Sequence, residues 1–317
     1  MTATFYHYRA FGLNVASAIP LSGLLPTPGT ADVAITVAEL PVQLVGATNE
    51  APFRRVAPGE YICRNQFFGG YAIYHGQKII LTPQTVLFLE TSEQAALLLE
   101  SIFIFLWLQR GALCLHASSV NINGRAVVFT GDGGSGKSTT SAALACQGHD
   151  KLADDMCLIT MTPQGAPHVV PLCRSQNLTT DALDLLGLPS IGACKMPGEE
   201  KYVLPYVSIT SSPVPLIGIF HLYPADTDEM KLLSVTGFEK LAILAANSKN
   251  GEEAVQMVPG SGSLMERQVE LGGSVAMIRI IRPLGRRCLT ELAATIEEIT
   301  TKGGEIHEKK RMASSAA

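Results

Sequence analysis

Gly131-Asp132-Gly133-Gly134-Ser135-Gly136-Lys137-Ser138 matches G-x-x-x-x-G-K-[ST], a pattern that requires a phosphate-cradling loop between a strand and a helix. The glycines let backbone N–H groups turn inward toward anionic oxygens, a turn that a Cβ would block. Lys137 would reach the β/γ-phosphates of a nucleotide, and the Ser138 hydroxyl would ligate Mg²⁺. The flanking sequence agrees. Arg125-Ala126-Val127-Val128-Phe129-Thr130 reads as a short buried strand. Ser138 to Ala145, with Thr139 in its first turn, reads as a helix whose positive dipole end faces the phosphate. A chance glycine-rich turn is the bland alternative, and the correctly placed strand and helix argue against it.

A chain of 317 residues has room for about two domains and a sizeable core. With 47% hydrophobic and 16% charged residues, it is not a largely disordered protein. A net charge of −4 without a basic stripe argues against nucleic acid as a partner. The cysteines are Cys63, Cys114, Cys146, Cys157, Cys173, Cys194 and Cys288. They are odd in number and scattered, with no C-x-x-C pair, so thiols in a reducing cytoplasm are expected rather than a disulfide framework or a zinc site. Met1 to Tyr8 lacks the basic-then-apolar pattern of a signal peptide. The most apolar run, Ala95 to Leu108, contains Glu100 and is too short to cross a bilayer. It predicts a buried core helix stopping at Arg110-Gly111; a membrane-surface helix is the alternative, but there is no basic polar face. No membrane partner is expected.

Three regions follow: a β-rich domain over residues 1–92 for docking or packing, an α/β P-loop domain over 93–301, and a flexible tail over 302–317. Strands are predicted at Ala34–Val37, Tyr61–Cys63, Tyr71–Tyr74, Lys78–Leu81 and Thr85–Leu89. In the second region a strand runs from Leu113 to Ile122. Asn123-Gly124 then makes a hairpin turn into the loop strand. A further strand is expected at Leu216–Tyr223, ended by Pro224, with helices at Phe238–Asn247 and Cys288–Thr301. Strands alternating with helices imply an α/β sheet, and the hairpin makes it a mixed one.

Asp154-Asp155 follows the loop helix at the end of an apolar strand, where such enzymes place carboxylates near Mg²⁺. Adjacent carboxylates at a strand end point to opposite faces, so one can serve the metal and the other an incoming hydroxyl. A solvated strand end or a helix cap is the alternative. His116, on the hairpin partner of the loop strand, is either a packing residue or a group brought alongside the phosphates. A second cation beyond Lys137 is expected at the site. Arg174 and Lys201 rank first, ahead of Arg282, Arg286 and Arg287.

Together, Leu115-His116-Ala117, Asn123-Gly124, Gly131 to Ser138, Gln147-Gly148-His149 and Ala153-Asp154-Asp155 resemble the catalytic domain of HPr kinase/phosphorylase. That family has a phosphoenolpyruvate-carboxykinase-like P-loop fold. The resemblance covers Leu113 to Leu158, and the family's later Glu-Ile-Arg-Gly-Leu-Gly signature is absent. It implies a mixed P-loop sheet, ATP and Mg²⁺ as cofactors, and a homo-oligomer. It also implies Asp154 as the base, Ser138 and Asp155 at Mg²⁺, and His116 lining the phosphate site. Tyr8 to Leu13, Leu115 to Val120 and Pro215 to Phe220 resemble a divergent branch of the family, some of whose members phosphorylate the C-terminal serine of lasso-peptide precursors.

The expected function is therefore an ATP- and Mg²⁺-dependent kinase acting on a serine of a peptide or small protein. The competing readings are a nucleotide-binding regulatory switch, and a kinase of HPr or of a small metabolite such as free serine.

Overall fold

The computed structural model describes residues 5–24, 26–41, 49–51, 54–92, 94–189, 193–194, 201–206, 208–258, 263–284 and 288–302. Of the expected tail at 302–317, residues 303–317 lie outside them. The chain divides into two compact units, one of Met1–Cys114 with Asn250–Arg267, the other of Leu115–Lys249 with Gln268–Ala317.

The first unit is built on a sheet of eight strands. Their spatial order is Tyr6–Ala10, Leu13–Ser17, Val33–Val37, Lys78–Leu81, Gly69–Tyr74, Glu60–Asn65, Arg54–Ala57 and Asn49–Ala51. The apolar run forms the helix Ala95–Gln109, buried along most of its length. Its aromatic residues stack within the unit: Phe103 on Phe11 and Phe105 on Tyr61, each with ring centroids 4.2 Å apart. The Trp107 indole donates to Phe11 O at 2.8 Å. These contacts hold the helix in the first unit, whereas the sequence reading began the second domain at residue 93. No described helix is long and apolar enough to cross a membrane.

Thr85–Leu89 is not a strand. It lies within the helix Pro83–Thr91, which Thr82 caps by accepting from Thr85 N at 3.3 Å. Thr-Pro is a helix-start pair, since proline at N1 loses no hydrogen bond there. The Thr85 hydroxyl then bonds Gly70 N and Gly70 O at 2.9 and 2.7 Å, so a β-branched residue faces inward from a helix.

The second unit contains a mixed sheet, so the chain is α/β. Asp150–Ala153 pairs antiparallel with Ser118–Ile122, which pairs antiparallel with Arg125–Thr130. Parallel to Arg125–Thr130 runs the long strand Val214–Ala225, and parallel to that runs Ala276–Pro283. Lys231–Val235 completes this edge antiparallel. The hairpin turn takes left-handed φ of 53° at Asn123 and 80° at Gly124, as a two-residue hairpin requires. One core cluster gathers Val127, Phe129, Leu144, Phe220, Ile280 and Leu292. It joins the sheet to the helices Lys137–Cys146 and Leu289–Thr301.

Candidate phosphate-binding site

The strand Arg125–Thr130 is buried from Ala126 onward and delivers the chain to Gly131 at its carboxyl end. Gly131 has φ +139°, and a Cβ there would sit 2.5 Å from Leu222 O and 2.8 Å from Ser135 Oγ. Gly134 and Gly136 also have positive φ, 79° and 97°. The helix Lys137–Cys146 begins with Gly136 as N-cap, and no side chain caps it. Its first-turn N–H groups therefore have no side-chain acceptor, an arrangement suited to an anion. The Ser135 hydroxyl is buried without a hydrogen-bond partner. A Cβ on Gly133 or Gly134 would meet nothing within 4 Å, so the lip of the loop is open. Together these features fit a polyphosphate.

Lys137 Nζ folds back onto the loop, donating to Gly131 O at 2.7 Å and Asp132 O at 3.1 Å. Burial pushes its ammonium pKa down; Asp155, Asp132 and Asp154 oppose that shift, and Lys201 adds to it. A phosphate would supply the counter-charge that the burial calls for.

The two aspartates occupy opposite environments. Asp154 has a side chain 1% exposed. Its Oδ1 accepts from Ser138 Oγ at 2.8 Å and Ser118 Oγ at 2.9 Å. Its Oδ2 accepts from Asn177 N at 2.8 Å and pairs with Lys151 Nζ at 3.1 Å. Lys151 is 0% exposed and also reaches Gln176 Oε1 at 3.5 Å. Asp155 turns the other way through a left-handed φ of 69°. Its side chain is 47% exposed, with Oδ1 3.1 Å from His116 Nδ1.

His116 does not lie within a continuous strand. The expected strand over Leu113–Ile122 breaks into Leu113–Leu115 and Ser118–Ile122, with His116 between them. At the break His116 N donates to Asn247 O at 2.7 Å, and its ring is freed to meet Asp155.

Besides Lys137, Arg282 at the end of Ala276–Pro283 is hydrogen-bonded to the loop. Its Nε and Nη2 donate to Ser135 O at 3.2 and 2.7 Å. Arg174 precedes the strand Ser175–Thr179, and its carbonyl accepts from Tyr206 N. Lys201 opens the strand Lys201–Pro205, and its charge acts on Lys137. Arg286 and Arg287 lie outside the described residues. Lys151 and Ser118 were missed by the sequence reading. A lysine between Asp150 and the apolar Leu152-Ala153, in a short strand, was a legible signal, because lysine is almost never fully buried unless paired.

His221 lies beneath the loop, in register with Thr130, with Nδ1 3.4 Å from Thr130 Oγ1. Burial lowers its pKa; Arg279 adds to the shift, Asp132 and Glu239 oppose it, and Lys137 adds again. Above the ordinary histidine range, near pH 6.5, neither the folded nor the unfolded chain protonates this group. Below it the unfolded chain takes up a proton that the folded chain refuses, so stability falls as pH falls toward the depressed value. The wild-type melting temperature is expected to drop more than that of His221→Asn between about pH 7.5 and 5.5, and parallel curves would refute this.

Three comparisons bear on relatives. The model of a family described as SynChlorMet cassette protein ScmC matches residues 84–186. No curated protein matches. Among solved structures, the Hpr(Ser) kinase/phosphatase from Coxiella burnetii shares 14% identity over 60% of this chain and 94% of its own, at a TM-score of 0.30. That likeness carries no argument about fold or chemistry.

Proposed function

We propose that the chain is an ATP- and Mg²⁺-dependent phosphotransferase of the P-loop kind that phosphorylates a serine hydroxyl of a peptide or small protein. The observation that carries the reading is the division of labour between adjacent carboxylates. Asp154 is buried and holds the Ser138 hydroxyl; Asp155 faces solvent and is paired with His116. A base must reach its acceptor, and of the two carboxylates Asp155 is the one open to solvent. We therefore assign the two roles in the reverse of the order that the resemblance implied. Ser138 and Asp154 are the residues that would hold Mg²⁺, and Asp155 is the base.

Lys137 would exchange the Gly131 and Asp132 carbonyls for phosphate oxygens, and the N–H groups at the helix start would bind the same polyphosphate. When bound, Mg²⁺ supplies charge neutralisation across the phosphate oxygens. His116 orients Asp155, and Asp155 takes the hydroxyl proton as the serine oxygen bonds the γ-phosphorus. The bond to the β–γ bridging oxygen breaks, and ADP leaves. Arg282 fixes the loop through Ser135 O. Precursor peptides ending in serine, the lasso-peptide type included, are the narrowest acceptor class within this reading.

The experiment is intact-mass spectrometry of HPr, free serine and serine-terminated precursor peptides incubated with the protein, Mg²⁺ and ATP. The expected result is a gain of one phosphate on a peptide. Phosphate on HPr or free serine would replace the acceptor class. No product from any acceptor, with ATP still bound, would overturn the kinase reading in favour of a nucleotide-dependent switch.

A further inference from the structure

The sheet order separates two directions away from the phosphate loop. On one side of Arg125–Thr130, beyond Ser118–Ile122, lies Asp150–Ala153, which leads into the carboxylates. On the other side lie Val214–Ala225 and then Ala276–Pro283, both parallel to the loop strand. If phosphoryl transfer takes place on the carboxylate side, as proposed above, the remainder of the donor must extend over the carboxyl ends of these two strands. That is where open α/β sheets hold their ligands.

An aromatic platform stands there. Tyr223 is 49% exposed and follows Leu222, whose carbonyl packs against Gly131. Alternation along the strand puts it on the same face as His221, the register partner of Thr130. The Arg279 guanidinium carbon lies 5.9 Å from the Tyr223 ring centroid. Arg279 is held in turn by Glu239, with Nη1 2.6 Å from Oε1, while its Nε is buried without a hydrogen-bond partner. The ring is thus backed by a fixed cation and half open to solvent, one residue beyond a carbonyl that touches the loop.

We infer that Tyr223, backed by Arg279 and Glu239, is the surface on which the nucleobase of the donor stacks, so the site takes a nucleoside triphosphate rather than a bare polyphosphate. The inference rests on the phosphotransferase reading for the direction of the donor. A planar ring with an exposed face and a braced guanidinium is the chemistry that receives a base by stacking.

The test compares equilibrium binding of ATP and of inorganic tripolyphosphate, each with Mg²⁺, to the wild type, Tyr223→Ala and Tyr223→Phe. Tyr223→Ala is expected to weaken ATP binding about 10-fold or more, the size of one base–aromatic stack. Tyr223→Phe keeps ATP affinity, and tripolyphosphate binds all three proteins alike. The inference is overturned if Tyr223→Ala binds ATP as the wild type does. It is also overturned if Tyr223→Ala loses ATP and tripolyphosphate together, because the loop rather than a base contact would then be disturbed. Wild-type protein that binds tripolyphosphate as tightly as ATP overturns it while leaving the phosphate loop standing. Wild-type protein that binds neither removes the phosphotransferase reading as well.

Discussion

Asp155→Asn is expected to lower turnover about 10²–10⁴-fold, the usual contribution of a positioned base, while MgATP affinity changes by no more than about 2-fold. Asparagine keeps the size and the left-handed backbone that Asp155 adopts at φ 69°, so the backbone is undisturbed while the proton acceptor is lost. Asp154→Asn should behave differently. It weakens the acceptor for Ser138 Oγ and leaves Lys151 facing a neutral amide, so MgATP affinity should fall along with turnover. Single-turnover rates and equilibrium ATP binding separate the two effects. If Asp154→Asn abolished transfer with affinity intact and Asp155→Asn did neither, the order of roles implied by the family resemblance would be the right one.

Lys151→Met is expected to destabilise the protein by about 3–5 kcal/mol, the cost of leaving one partner of a buried ion pair uncompensated. Both side chains are almost fully buried, at 0% and 1% exposure, and Nζ lies 3.1 Å from Oδ2. Solvent screening therefore does not discount the figure. Methionine fills a similar volume, so the loss comes from charge rather than from a cavity. The denaturation midpoint reads it directly. Adding Asp154→Asn should recover part of the loss, since the double variant has no orphaned carboxylate. A midpoint unchanged from wild type would mean that Asp154 is sustained by its three hydrogen bonds alone.

Local rules carried the sequence reading a long way. The loop glycines, the Asn-Gly turn and the core helix each depend on backbone conformation or on apolar residues a few positions apart, and neighbouring residues report on both. The same rules contain the helix at Pro83–Thr91. Val86-Leu87-Phe88-Leu89 reads as strand by composition, and the Thr82-Pro83 start signal outweighs it. The break at His116 left no such mark, because it is made by a bond from His116 N to Asn247 O, far along the chain.

From the sequence alone came the glycine-rich loop, with its strand before and its helix after, and the presence of a carboxylate pair at the next strand end. These features are local, set by φ freedom at glycine and by alternation along a strand. Tertiary structure alone decided which carboxylate is buried and which is open, that Lys151 stands behind Asp154, and that Arg282 reaches the loop. Arg282 and Ser135 are 147 positions apart, and a contact of that kind exists only once the parallel strands have brought their carboxyl ends together.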